Sequence, residues 1–308
     1  MASRAVSLLS IAALAFIFMN GQQLFRILLP LLKPLLAHKY AWFVMILGGI
    51  SYIIYDYSQR DGYSYQGVPK AESFSLNTWT RVFRNEGFMV GYSEWRGNPL
   101  WVTYHLRPIG KKKTLKRPSR FQSDWRSLRR VSHDDYLKSG YDRGHMAPNY
   151  AISNIYGRSG QLDTFLMTNI TPQRPHLNQK IWQRLEDVEA NKFATWFKDM
   201  WVITGPIFDK NITKLRSGVE IPDAFYKIYI VPSKKKGDAP KTLSFIIPQK
   251  VKGNESLNRY VSSIDEIEKR TGFDFLSKLP DNIENKVEAS TSSKGWRLKQ
   301  VANLRSRY

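Results

Sequence analysis

Two dense apolar runs open the chain, AVSLLSIAALAFIFM at residues 5–19 and YAWFVMILGGISYIIY at residues 40–55, before the pattern breaks into shorter alternations. From about residue 70 the spacing predicts a single α+β domain. FMVGYSE (88–94) and PLWVTYHL (99–106) are rich in β-branched and aromatic residues, and the WRGN between them predicts a hairpin. MWVITGPIF (200–208) reads as a buried strand interrupted at Gly205-Pro206. FYKIYIVP (225–232) alternates and stops at a proline, and TLSFIIP (242–248) adds a further strand.

The clearest helix is NQKIWQRLEDVEANKFATWFKDM, starting at residue 178. Ile181, Trp182, Leu185, Val188, Phe193, Trp196 and Phe197 fall mostly at spacings of three and four, and Pro172 and Pro175 help fix the start. SSIDEIEKRTGFDFLSKL (262–279) predicts a second helix, with Gly272 as a break. Residues 107–140 are polar and basic, carry KKK at 111–113, and predict an extended loop region. The chain divides into an apolar region (1–57), a linker (58–74), the main domain (75–285) and a weakly structured basic tail (286–308).

The apolar region has the marks of a membrane segment. The first run follows Arg4 and has the length of a signal-peptide core. The second, extended to Tyr57, carries no charge until Asp56, and its tyrosines suit membrane interfaces. Arg26, Lys33 and Lys39 outnumber Arg4, which predicts a cytoplasmic connector and everything beyond Tyr57 on the far side, periplasmic or extracellular. A cleaved signal would reverse the second helix. Residues 1–40 hold arginine and no acid, so a mitochondrial presequence, with the domain at the inner membrane or intermembrane space, stays open, as do secretion and two core helices.

Charge narrows the partner. The chain has 47 Lys+Arg against 26 Asp+Glu, a net +21. Residues 1–57 contribute four cations and one carboxylate, which leaves +18 on the rest. Such a field concentrates polyanions, so nucleic acid or an anionic membrane is the expected partner. The absence of cysteine excludes disulfides, thiolate metal sites and cysteine nucleophiles.

Among five histidines, His145 alone sits in a dense polar cluster, GYDRGHMAPN (140–149), which reads as a loop. An imidazole can accept a proton near neutral pH, Arg143 offers a fork matched to phosphate oxygens, and Gly144 lets backbone approach a ligand. These residues alone fit a polar turn, with Arg143 paired to Asp142, as well as an active site.

The downstream segment TNITPQRPHLNQKIWQRLE (168–186) adds Asn169, Gln173, Asn178 and Glu186. DRGH followed by N-x-x-P-Q-x-x-x-x-N-x-x-x-W-x-x-L-E resembles the DNA/RNA non-specific endonucleases of the ββα-metal, or His-Me finger, superfamily. RPSRFQSD (117–124), DDY (134–136), WVITGP (201–206), IPDAFYK (221–227) and IEKRTGFDF (267–275) extend the resemblance over roughly residues 75–285.

The resemblance implies a central, mainly antiparallel sheet flanked by helices. It implies His145 as the general base and Asn178 as the one direct protein ligand of Mg²⁺, with Mn²⁺ or another divalent cation as substitute. Glu186 would hold water around the ion. On a straight α-helix it lies about 80° around and roughly 12 Å along from Asn178, which disfavours direct co-ligation. Arg143 would contact the scissile phosphate, and Arg120 would be the phosphate-contacting arginine upstream of it in the chain, with Arg117 as the alternative in the same loop. Asp142 would organise the loop, Asn169 shape the site, and Gln173 contact a water of the ion. Some relatives carry arginine four residues after the glutamate, where Ala190 stands here.

The leading expectation is a metal-dependent, sequence-nonspecific endonuclease acting on DNA and RNA, tethered through its amino-terminal segment; a homodimer is left open. Two other classes compete: a catalytically silent nucleic-acid-binding protein, and a phosphodiesterase acting on phospholipid head groups. The +18 of the domain favours nucleic acid over lipid.

Overall fold

A computed structural model of the chain describes residues 41–110, 115–235 and 237–306. The first apolar run, the connector with His38 and the KKK triplet lie outside the described residues. Two units separate at Gln59 and Arg60.

In the first unit, helix α1 (Ala41–Gln59) covers the second apolar run. No helix among the described residues is long and apolar enough to cross a membrane, which corrects the transmembrane helix expected of the second apolar run alone. Gly48-Gly49, Ser51, three tyrosines and the polar end Asp56-Tyr57-Ser58-Gln59 dilute the run.

In the second unit the strands are β1 (Lys70–Ala71), β2 (Arg81–Asn85), β3 (Phe88–Ser93), β4 (Asn98–Leu106) and β5 (Asp142–His145). Helix α2 (Asn149–Thr164) and strand β6 (Ile170–Gln173) follow. Helix α3 (residues 176–197) is continuous but not uniform: wide i→i+5 turns at His176–Trp182 and Glu189–Phe193 flank α-helical Gln183–Val188, and Ala194–Phe197 closes it. Then come β7 (Met200–Ile207), β8 (Thr213–Lys214), β9 (Glu220–Ile221), β10 (Ala224–Val231), β11 (Lys241–Pro248) and β12 (Val261–Ser262). Helix α4 (Ile264–Thr271), strand β13 (Phe273–Asp274), and helices α5 (Asp281–Glu288) and α6 (Leu298–Val301) complete the unit.

The central sheet has seven strands in the order β12-β11-β10-β7-β4-β3-β2, and every pairing is antiparallel. The expected hairpin is β3–β4, closed around the WRGN turn. Alternation in β10 shows why the sheet is covered on both sides. Phe225 and Tyr229 join the core under α3, with Trp182, Leu185 and Phe193. Tyr226, Ile228 and Ile230 join the opposite core, with Ile264 and Ile267 of α4 and Val287 of α5.

Lys227 shares the face of Phe225 and is fully buried. Its ammonium pairs with Glu189 at 2.9 Å, and Glu189 also accepts hydrogen bonds at 2.8 Å from Tyr104 and Tyr229. A buried charge pair is tolerated when its remaining lone pairs are satisfied in this way. The pair lies beneath α3 and locks that helix to the sheet.

The α4 boundaries follow the sequence. Ser263 accepts the Glu266 N–H at its start, and Gly272 ends it in the left-handed region with φ 71°. The carboxyl end does not behave as a weakly structured tail. Trp296 is fully buried, donates its indole N–H to the Thr242 carbonyl at 2.9 Å, and meets Phe193 and Phe197 edge-on. The expected boundary at residue 285 falls inside α5.

Candidate active site

The segment expected as a loop is a strand. Asp142, Arg143, Gly144 and His145 form β5, which pairs with β6 in an antiparallel ribbon: Asp142 opposite Gln173, Gly144 opposite Thr171, His145 opposite Ile170. Gly144 is required because a Cβ there would come within 2.1 Å of the Gln173 amide oxygen. The ribbon runs into α3, so two strands and a helix carry the polar residues singled out in the sequence.

An open cleft of about 280 Å³ gathers them. Arg117, Arg143, His145, Asn178 and Glu186 all line it, together with Asn149, Tyr150, Gln183 and Asp187, which sequence reasoning missed. Asn178 and Glu186 share the cleft even though a straight α-helix would set them apart. The wide turn at His176–Trp182 is the reason. An i→i+5 turn rotates less per residue than the roughly 100° of an α-helix, which swings the two side chains back toward one face.

His145 is packed between aromatic rings, with centroids 5.3 Å from Phe121 and 5.2 Å from Phe165. Burial, reinforced by the Arg117 charge, pushes its imidazole down to about 3, so the ring is neutral at physiological pH. Its Nε2 is buried with no hydrogen-bond partner. Asn169 fixes the backbone just after it. The Asn169 carbonyl oxygen of the side chain accepts the Ala147 N–H at 2.8 Å, and its amide donates to the Ala147 and Thr164 carbonyls.

Asp142 sets the helix side of the cleft. Its Oδ2 accepts from the Asn178 amide at 3.0 Å and the Gln179 amide at 2.8 Å. With the Asn178 nitrogen engaged, its carbonyl oxygen is the end available to a cation. Arg143 is held by its own hydrogen bonds, Nε and Nη2 both donating to the His133 carbonyl at 2.9 and 2.6 Å.

Two expectations change. Arg120 pairs with Asp134 and does not line the cleft, whereas Arg117 does, its guanidinium 5.2 Å over the Phe165 ring. The cause is packing: Phe121, the neighbour of Arg120, turns inward against Phe165 and His145. Gln173 is fully buried against Gly144, with both amide atoms unpartnered, and does not line the cleft. Ala190, where relatives have arginine, is packed in the core.

The donor set suits a hard divalent ion. Burial pushes the Glu186 carboxyl up to about 8, Lys227 opposing and Glu189 reinforcing the shift. That carboxylate is stabilised by added positive charge nearby. Asn149 Oδ1 and His145 Nε2 are buried without hydrogen-bond partners at the cleft wall. Oxygen donors and water, with few protein ligands, match the preferences of Mg²⁺.

The profile of the DNA/RNA non-specific endonuclease family matches residues 69–282. A nuclease of Nostoc sp. is 30% identical over 219 residues, covering 67% of this chain and 77% of that protein. Mitochondrial endonuclease G of Bos taurus is 29% identical over 228 residues, covering 69% of this chain and 75% of its own. The mitochondrial nuclease EXOG of Danio rerio is 28% identical, and the match spans 64% of its length. A chain in the crystal structure of the EndoG/EndoGI complex shares the fold, with a TM-score of 0.59 at 20% identity, covering 73% of this chain and 93% of that one. This chain belongs to the DNA/RNA non-specific endonuclease family. Membership supports endonuclease activity on nucleic acids, a hydrolase reaction.

Proposed function

We propose that the chain is a Mg²⁺-dependent endonuclease that hydrolyses phosphodiester bonds of both DNA and RNA with little sequence preference. The observation that carries this reading is the gathering of His145, its Nε2 unpartnered, with Arg117, Arg143, Asn178 and Glu186 in one cleft.

His145 accepts the proton of the attacking water, which a protonated ring could not do. Arg143, fixed by the His133 carbonyl, and Arg117, braced on Phe165, place guanidinium N–H groups where phosphate oxygens enter. Asn178 would hold Mg²⁺ through its carbonyl oxygen, kept in orientation by Asp142, and Glu186 would hold the water around it. When bound, the ion supplies Lewis-acid stabilisation of charge on the phosphoryl and leaving oxygens. These residues address the phosphate and not base edges, which accounts for tolerance of sequence.

The endonuclease G and EXOG relatives are named as mitochondrial, and the acid-free, basic residues 1–40 agree with import into that organelle. A mitochondrial location is therefore the reading proposed here.

The test is incubation of the full chain with supercoiled plasmid and with structured RNA, after chelation and after Mg²⁺ is restored. Fragmentation of both substrates that EDTA abolishes and Mg²⁺ restores is expected. Binding of either polymer without cleavage under all conditions would favour a silent nucleic-acid-binding protein.

A further inference from the structure

A second polar cluster lies against the other face of the sheet, between α4 and α5. One oxygen each from Asp265, Glu268 and Glu288 lies within 4.8 Å of the others. Glu288 is only 6% exposed, and its Oε1 has no hydrogen-bond partner. Glu284, one turn earlier on α5, has an Oε1 in the same condition. Glu268 is held in place by the Phe275 N–H at 2.8 Å.

The surroundings are more acidic still. Asp274 and Glu284 raise the Glu288 carboxyl, and Glu72 raises that of Glu268, whereas Lys70 is the cation that opposes the charge, at Asp274 and Glu284. Burial and this crowding push Glu288 up to about 9 and Glu268 to about 7. A chain with a net +21 has gathered carboxylates where each destabilises the others. Buried charges of one sign are retained when an opposite charge joins them.

We propose that Asp265, Glu268 and Glu288 form a structural divalent-cation site of the calcium class that ties α4 to α5. The ligand set is all carboxylate, which selects a hard cation over zinc or copper. Oxygens around Ca²⁺ lie about 2.3–2.6 Å from the ion, so the two farthest apart are separated by roughly 4.6–5.2 Å. One oxygen from each of the three residues lies within 4.8 Å of the others, close enough for a single ion to reach all three. Flexible carboxylates from two helices suit Ca²⁺ better than Mg²⁺, which demands a near-octahedral shell and keeps its waters. The site is separate from the cleft and does not depend on the nuclease reading.

The test uses the full chain, stripped with chelator, and its Asn178→Ala variant, which removes the ligand proposed for the catalytic ion. Calcium chloride is titrated against thermal unfolding and by calorimetry. A rise in Tm is expected in both proteins, and binding of one Ca²⁺ per chain in Asn178→Ala. Glu268→Gln combined with Glu288→Gln should raise the Tm of the stripped protein and abolish the calcium shift. Asp265→Asn, at an exposed position, should weaken Ca²⁺ binding at least tenfold and serves if the double variant does not fold. Absence of a calcium shift in Asn178→Ala, or an undiminished shift in the carboxylate variants, would overturn the site. The latter results would show carboxyls that share protons in place of a metal.

Discussion

At the residue scale, the environment of His145 makes a pH-dependent claim. An ordinary imidazole titrates near pH 6.5, whereas the folded chain holds this one at about 3. Below about pH 6.5 the unfolded chain therefore takes up a proton that the folded chain refuses. Stability contributed by neutral His145 falls as pH drops from about 6.5 toward 3. Urea midpoints measured across that range should fall less steeply in His145→Gln than in the parent. Equal slopes would show that the ring is not held neutral. His145, Asn178 and Glu186 stand out in the sequence by their motif spacing, and the structure brings all three to one cleft. Arg117 was not separable from Arg120, since both lie in a loop where only Phe121 packing decides which one turns into the cleft. Asn149, Gln183 and Asp187 carried no signal, because a polar residue on a helix reads as solvated until the opposite wall is seen.

At the element scale, the ββα unit depends on a close approach that a sequence hides. Gly144 in β5 faces the Gln173 amide so closely that a methyl group cannot be added without displacement. Gly144→Ala is expected to cost about 1–3 kcal/mol and to lower cleavage by tilting β5. The combination of Gly144→Ala with Gln173→Ala should recover much of the lost Tm, and thermal melts of the three proteins decide it. No recovery would mean that the strain lies elsewhere. Helix α3 was predicted near its true limits, yet an ideal α-helix gave the wrong angle between Asn178 and Glu186. Local i→i+5 turns leave no mark in apolar periodicity. Helix α2 leaves no clear mark in the sequence because it contains Gly157 and Gly160, with Gly157 at φ 82° breaking the regular path. The β3–β4 hairpin and strands β7, β10 and β11 are legible in the sequence, since alternation and turn residues report directly on strands.

At the scale of the molecule, fold class is visible in strand patterning, and the +21 charge narrows the partner to nucleic acid or an anionic membrane. Two large features were not. The apolar run at residues 40–55 looked long enough for a bilayer, but no helix among the described residues meets that requirement. The basic end looked weakly structured because its apolar residues are sparse; Trp296, Leu298, Val301 and Ala302 are nevertheless buried. Trp296→Ala should destabilise the fold by about 3–5 kcal/mol, measured by denaturant unfolding. A loss near zero would mean that the carboxyl end is dispensable to the core.

The most direct measurement compares cleavage of supercoiled plasmid by the parent chain and His145→Ala at saturating Mg²⁺, with plasmid affinity measured in parallel. A general base contributes about two to four orders of magnitude, so the cleavage rate should fall by that much while binding is retained. Undiminished cleavage by His145→Ala would contradict the assignment of the base and the mechanism built on it.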